Sequence, residues 1–226
     1  MKKIFSFAVA LFATIAVSAQ TYDLSTMNIT EADITVTNGT KSADEKYVVV
    51  KNTAGETVNM TVAQLPNIVF AYKNSAEKTA YKVYPNKIQA DGNQRDIIFN
   101  NVTPGTTITL TVGSKGSTGA AFVDGDKGTA FTGCTFQSGT TTFEPKVSGE
   151  ETVYADLTVM ATGTTVTIRE TAGGYVLTKV VVGGSTGSAL EDATVEAEKA
   201  QKVIENGVIY IIKNGVKYNV LGAVVK

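Results

Sequence analysis

The chain has 226 residues, 43% hydrophobic and 18% charged, with 20 basic against 21 acidic side chains, one cysteine, no tryptophan and no histidine. A net charge of −1, with dispersed lysines and only Arg95 and Arg169 as arginines, excludes the concentrated cationic face that nucleic acid requires. The lack of histidine removes Ser-His-Asp and Cys-His nucleophiles, imidazole general bases and histidine-built zinc or iron sites.

Met1-Lys2-Lys3 precedes an apolar run from Ile4 to Val17 that closes on Ser18-Ala19-Gln20. Two positive charges, a short apolar stretch and small residues before Gln20 predict a secretory signal peptide over 1–19, with the mature chain beginning at Gln20. The expected location is therefore secreted or on the outer cell surface. After the signal no apolar stretch reaches the roughly 20 residues a membrane helix requires, so no transmembrane segment is expected. No cysteine stands at the cleavage site, which argues against a lipid anchor.

From Ile34 onward, short runs rich in Val, Ile, Thr and Tyr are broken by Gly, Asn, Asp and Pro, the period-2 pattern of β-strands. The pattern predicts strands at Ile34–Thr37, Tyr47–Lys51, Thr57–Val62, Ile68–Lys73, Ala80–Tyr84, Asp96–Phe99 and Thr106–Val112. It continues with Thr140–Phe143, Thr152–Val159, Thr164–Glu170 and Tyr175–Val182. Alternation is clearest where Ile108, Leu110 and Val112 share one face and the intervening threonines the other. Asn38-Gly39, Asp91-Gly92, Pro104-Gly105 and Gly173-Gly174 supply turn chemistry between strands. Many short strands at this spacing predict an all-β, antiparallel two-sheet β-sandwich over 20–184. Cys134, alone in the chain, allows no internal disulfide; it reads either as a small buried apolar residue or as a reactive thiol.

A Gly/Ser-rich stretch from Gly183 and an acidic, alanine-containing stretch from Glu191 form an expected linker over 185–202. Beyond it, two Asn-Gly pairs flank Val208–Lys213, which predicts a three-stranded β-meander over 203–226 joined by tight turns. So few residues bury little, and the module should want a partner surface.

The tail "KVIENGVIYIIKNGVKYNVLGAVVK" resembles the C-terminal segments of proteins secreted by bacteria with the type IX (Por) secretion system, especially in "GVKYNVLG". The resemblance implies contact with secretion or cell-surface machinery, carried here by Tyr218, Asn219, Leu221 and Gly222. The segment lacks the "YPNP" opening of the longer sorting domain; "VYPN" at Val83 to Asn86 lies elsewhere. In the body, "TYDLS", "IIFNNVTPGTTITLTVGSKGSTGAAF" and "YVLTKVVVG" look like the β-sandwich modules appended to bacterial polysaccharide lyases. That likeness implies a jelly-roll-like sandwich and a polysaccharide ligand, with no lyase domain in this chain.

Individual residues carry competing readings. Phe70, Tyr72, Tyr81 and Tyr84 lie on two strands joined by Asn74-Ser75-Ala76-Glu77; they are either core or an aromatic sugar platform, with Tyr72, Tyr84, Lys82 and Arg95 as its expected ligand contacts. Asp124-Gly125-Asp126-Lys127-Gly128 opens like a calcium loop but has no glutamate at the twelfth position. It reads as a structural calcium site through Asp124 and Asp126 or as a plain hairpin turn. Glu144, Glu150, Glu151 and Asp156 offer carboxylates near strands, and a glycosidase needs two held about 5 to 10 Å apart across a cleft; with no Glu-x-Asp-x-x-Glu run, and Glu150-Glu151 beside Ser148-Gly149, they read as solvated turn charges. No catalytic residues and no cofactor beyond that calcium are expected. The reading is an exported, non-catalytic, carbohydrate-binding module. Its rivals are a structural or adhesive surface protein and a histidine-free lyase or glycosidase using Tyr, Arg, Lys or paired carboxylates.

Overall fold

The computed structural model describes residues 19–185 and, near the C-terminus, 201–205, 208–213, 216–219 and 225. In chain order the first strands are β1 (Gln20–Asp23), β2 (Ile34–Thr37), β3 (Gly39–Ala43), β4 (Val48–Asn52), β5 (Thr57–Val62), β6 (Ile68–Lys73) and β7 (Thr79–Tyr84). Next come β8 (Lys87–Ala90), β9 (Arg95–Phe99), β10 (Thr106–Ser114), β11 (Phe131–Thr132), β12 (Cys134–Gly139), β13 (Tyr154–Ala161), β14 (Val166–Glu170) and β15 (Tyr175–Ser185). Two short 3₁₀ turns, Leu24–Thr26 and Glu31–Asp33, lie between β1 and β2.

These strands form two antiparallel sheets that pack as an unclosed sandwich. The nine-stranded sheet runs β12-β13-β10-β15-β8-β7-β4-β3, with β1 added against β15; the six-stranded sheet runs β11-β14-β9-β6-β5-β2. Alternation decides the packing. In β10, Ile108, Leu110 and Val112 are fully buried while Thr107, Thr109 and Thr111 face outward, as the sequence pattern requires. The core between the sheets is built around Phe70, Tyr81, Phe99, Phe122 and Tyr175. Phe122 contacts both Phe143 and Tyr175 at ring separations of 5.8 Å.

Connections inside one sheet alternate with crossings between sheets. β3–β4, β5–β6, β7–β8 and β12–β13 are hairpins. The links from β2 to β3, β4 to β5, β6 to β7, β8 to β9 and β9 to β10 all change sheet. Asn38 therefore turns the chain with φ +56 not into a hairpin but across the sandwich, and a Cβ at Gly39 would collide with the Lys51 carbonyl and Val58. The β9–β10 crossing closes with a type II-like turn in which Pro104 and Gly105 (φ +88) sit between Thr103 O and Thr106 N, 3.0 Å apart.

Three differences from the sequence expectations have physical causes. Thr140–Phe143 is not a strand: Thr142 makes only an isolated bridge to Ala121, and its N–H donates to the Thr140 hydroxyl. Gly183 to Ser185 belong to β15 rather than to a linker, because β10 supplies a ladder that reaches Ser185. β1, β3, β8, β11 and β12, absent from the expected strands, are short or polar and lack the apolar runs by which the other strands are read.

The chain divides into two compact units, Met1–Thr186 and Gly187–Lys226. In the second, β16 (Gln201–Glu205), β17 (Val208–Lys213) and β18 (Val216–Asn219) form the expected antiparallel meander. Its two expected Asn-Gly turns lie outside the described residues, as do residues 1–18 of the expected signal peptide over 1–19, most of the expected linker, and Leu221 and Gly222.

Candidate functional site

The expected aromatic platform is divided by the fold. Residues 74–77 join β6 of one sheet to β7 of the other, so Tyr72 and Tyr84 share no face. Tyr72 and Arg95 are 6% and 2% exposed. The Arg95 guanidinium lies 4.0 Å from the Tyr72 ring centre and donates to the carbonyls of Thr79, Ala80 and Asn93 at 2.8 to 3.0 Å. Three of its five N–H groups donate to backbone, which ties β9 to β7 across the sandwich.

Tyr84 and Lys82 are half-buried on the outer face of the nine-stranded sheet. Tyr84 packs against Tyr47 at 5.0 Å, and the Lys87 ammonium covers its ring at 4.8 Å. Lys82 lies over Tyr47 and reaches Asp91 at 3.6 Å; Lys115 meets the same carboxylate at 2.5 Å. Burial opposes ionisation of Asp91, but the hydrogen bonds from Lys115 and Gln89 prevail and hold its carboxyl below the usual range. The rings and charges of this patch are thus occupied by one another.

Asp124 and Asp126 lie in a two-way hairpin in which Gly125 and Gly128 exchange backbone bonds of 2.9 and 3.2 Å. The Asp124 carboxylate accepts from the Ala130 N–H at 2.7 Å. A Cβ at Gly128 would lie 3.1 Å from Arg169 Nη1, so a guanidinium already occupies that side of the loop. Among the described residues no three His, Cys, Asp or Glu side chains converge as metal ligands. Cys134 is buried, and burial pushes its thiol up to about 11. Of the tail residues, Tyr218 and Asn219 lie on β18, paired with Ile211 and Tyr210 of β17.

A different surface has the form of a binding site. At one end of the sandwich a cavity of about 310 Å³ is lined on its polar side by Gln20, Tyr22, Asn67, Asn100, Asn101 and Thr103. Ile68, Phe99, Val102 and Val182 give the apolar part. Four separate segments meet there. β1 pairs with β15 in the register Gln20↔Val182 and Tyr22↔Val180, while Ile68 at the start of β6 pairs with Phe99 at the end of β9. Asn67 and Asn101 adopt φ +64 and +57, left-handed turns that asparagine tolerates. The Asn101 amide donates to Asn67 Oδ1 at 3.3 Å, the Asn100 N–H to Asn67 O at 2.8 Å, and the Tyr22 hydroxyl to Gln20 Oε1 at 2.8 Å.

This lining contains no carboxylate, amine, guanidinium or thiol. It offers paired amide donors and acceptors, hydroxyls, one tyrosine ring and apolar contact. The volume falls at the lower end of the range for small-molecule sites, about 300–1,000 Å³. Sequence reasoning passed over it because no local motif marks it: its parts are brought together only by the β1–β15 pairing and the β9–β10 crossing. The available signal was the run of asparagines at strand ends, Asn67 and Asn100-Asn101.

No family model matches this chain, and comparison with curated proteins finds no match.

Proposed function

We propose that this protein is an exported, non-catalytic module that binds carbohydrate in the end cavity beside Tyr22. The observation that supports the reading is the lining itself: amides and hydroxyls around an aromatic ring and an apolar wall, with no charged group. Sugars present hydroxyls that both donate and accept, together with apolar C–H faces, and side-chain amides match the first as a tyrosine ring matches the second. The likeness of the body to sandwich modules appended to polysaccharide lyases points the same way, and the tail is read as a sorting segment of the type IX kind.

The test is binding of the purified full chain to a glycan array, with product assays run on the same polymers. Uncharged glycans are expected to bind without turnover. Tyr22→Ala should weaken binding about tenfold, roughly 1.4 kcal/mol, while Tyr84→Ala leaves it unchanged. Failure of every glycan to bind would reject this reading in favour of a spacer or adhesive role; release of reducing or unsaturated ends would reject it in favour of an enzyme.

A further inference from the structure

The end cavity has a neighbour. On the outer face of the six-stranded sheet a trough of about 320 Å³ runs across the strands and is lined by Thr35, Thr37, Asn59, Thr61, Val69, Ile98 and Asn100. Asn100 also lines the end cavity, so the two openings share a wall.

The register explains why these residues are collinear. Thr35 pairs with Thr61, Thr61 with Val69, and Val69 with Ile98, a single outward row across β2, β5, β6 and β9. Thr37 and Asn59 begin the next row. Asn100 stands two residues beyond Ile98 and so continues the same face, after which Asn101 turns left-handed at the mouth of the end cavity. Like the end cavity, the trough carries no charged side chain, in a chain of which 18% is charged. Thr35, Thr37 and Thr61 are exposed and Asn59 and Asn100 half-buried, and their hydroxyls and amides line the trough.

We infer that cavity and trough form one continuous site for an extended, uncharged glycan chain, one end held beside Tyr22 and the following sugars laid over Asn100 onto the threonine row. The inference rests on the sugar-binding reading above and adds the length and charge class of the ligand. An extended peptide fits less well. Peptides that join sheets do so through free backbone groups at an edge; of the strands under the trough only β2 is an edge, whereas β5, β6 and β9, which carry most of the lining, are paired on both sides.

The experiment is calorimetric titration of the full chain with disaccharides and hexasaccharides of the cello, malto, xylo and manno series, and with hexagalacturonate as the anionic comparison. The best-bound neutral series should show at least about tenfold tighter binding of the hexasaccharide than of the disaccharide. Replacing two trough residues together, half-buried Asn59→Ala with exposed Thr61→Ala, should abolish that length advantage while leaving disaccharide binding and the melting temperature unchanged. Equal affinity for both lengths, or tighter binding of hexagalacturonate, overturns the continuous site and leaves the end cavity's sugar binding standing. Failure of every sugar to bind overturns both.

Discussion

Glu170 is fully buried at the end of β14, where one carboxylate oxygen accepts the Gly174 N–H at 3.1 Å and the other has no protein partner. The neighbouring Tyr175 hydroxyl is likewise buried without a partner. Burial pushes the Glu170 carboxyl up to about 7, against the smaller lowering influences of the Gly174 N–H and Arg95. Because the folded-state value lies above the unfolded value of 4.5, the folded protein holds this proton where the unfolded chain has released it. The stability contribution is complete below about pH 4.5, declines by about 1.4 kcal/mol per pH unit from there, and is gone once pH has passed about 7. Glu170→Gln keeps an acceptor for Gly174 and carries no charge; in urea titrations it should remove this decline and stabilise the protein by about 3 kcal/mol at pH 8. An unchanged slope in that variant would mean Glu170 is not the titrating group. Arg95 is the opposite case, a buried cation whose donors are satisfied by three carbonyls. Arg95→Met should cost about 3 kcal/mol, read as a fall in urea midpoint, because it strips those carbonyls of donors, that of Ala80 in the buried interior.

At the scale of elements, strand identity was open to reading because burial on one face imposes alternation, and Thr57–Val62 and Ile68–Lys73 fall where the pattern placed them. What alternation cannot specify is which sheet a strand joins. Asn38-Gly39 and Asn74–Glu77 have the composition of hairpin turns, yet both carry the chain from one sheet to the other. The site depends on that ambiguity: Tyr72 and Tyr84 are close in sequence but back onto different layers, while Gln20 and Asn101, far apart in sequence, line the same cavity. The candidate site was accordingly the least legible part of the chain, since its lining comes from four strand ends rather than from one motif. Gly39 marks how tightly a crossing is packed. Gly39→Ala places a methyl against the Lys51 carbonyl oxygen and the Val58 side chain, and should lower stability by about 2 kcal/mol in urea unfolding. A neutral result would mean that β3 can shift away from β4 without loss.

For the whole molecule, the chain divides into two compact units, so what each contributes can be tested by removing the smaller one. The first unit has a core running through both sheets, with Leu24, Ile88, Leu110 and Val180 all fully buried, and no disulfide is available to assist it. Among its described residues the second is a three-stranded meander, the smallest sheet that can be stable alone, with Val225 N–H bonded to Lys217 O of β18 at 2.8 Å. The sorting role proposed for this tail is tested by removing it. In a bacterium possessing the type IX system, deleting Lys202–Lys226 should retain the protein in the periplasm while the glycan affinity of the purified truncated chain matches that of the full chain. Identical fractionation of the two forms would remove the sorting role. Loss of glycan binding on truncation would instead mean that the two units act together on the ligand.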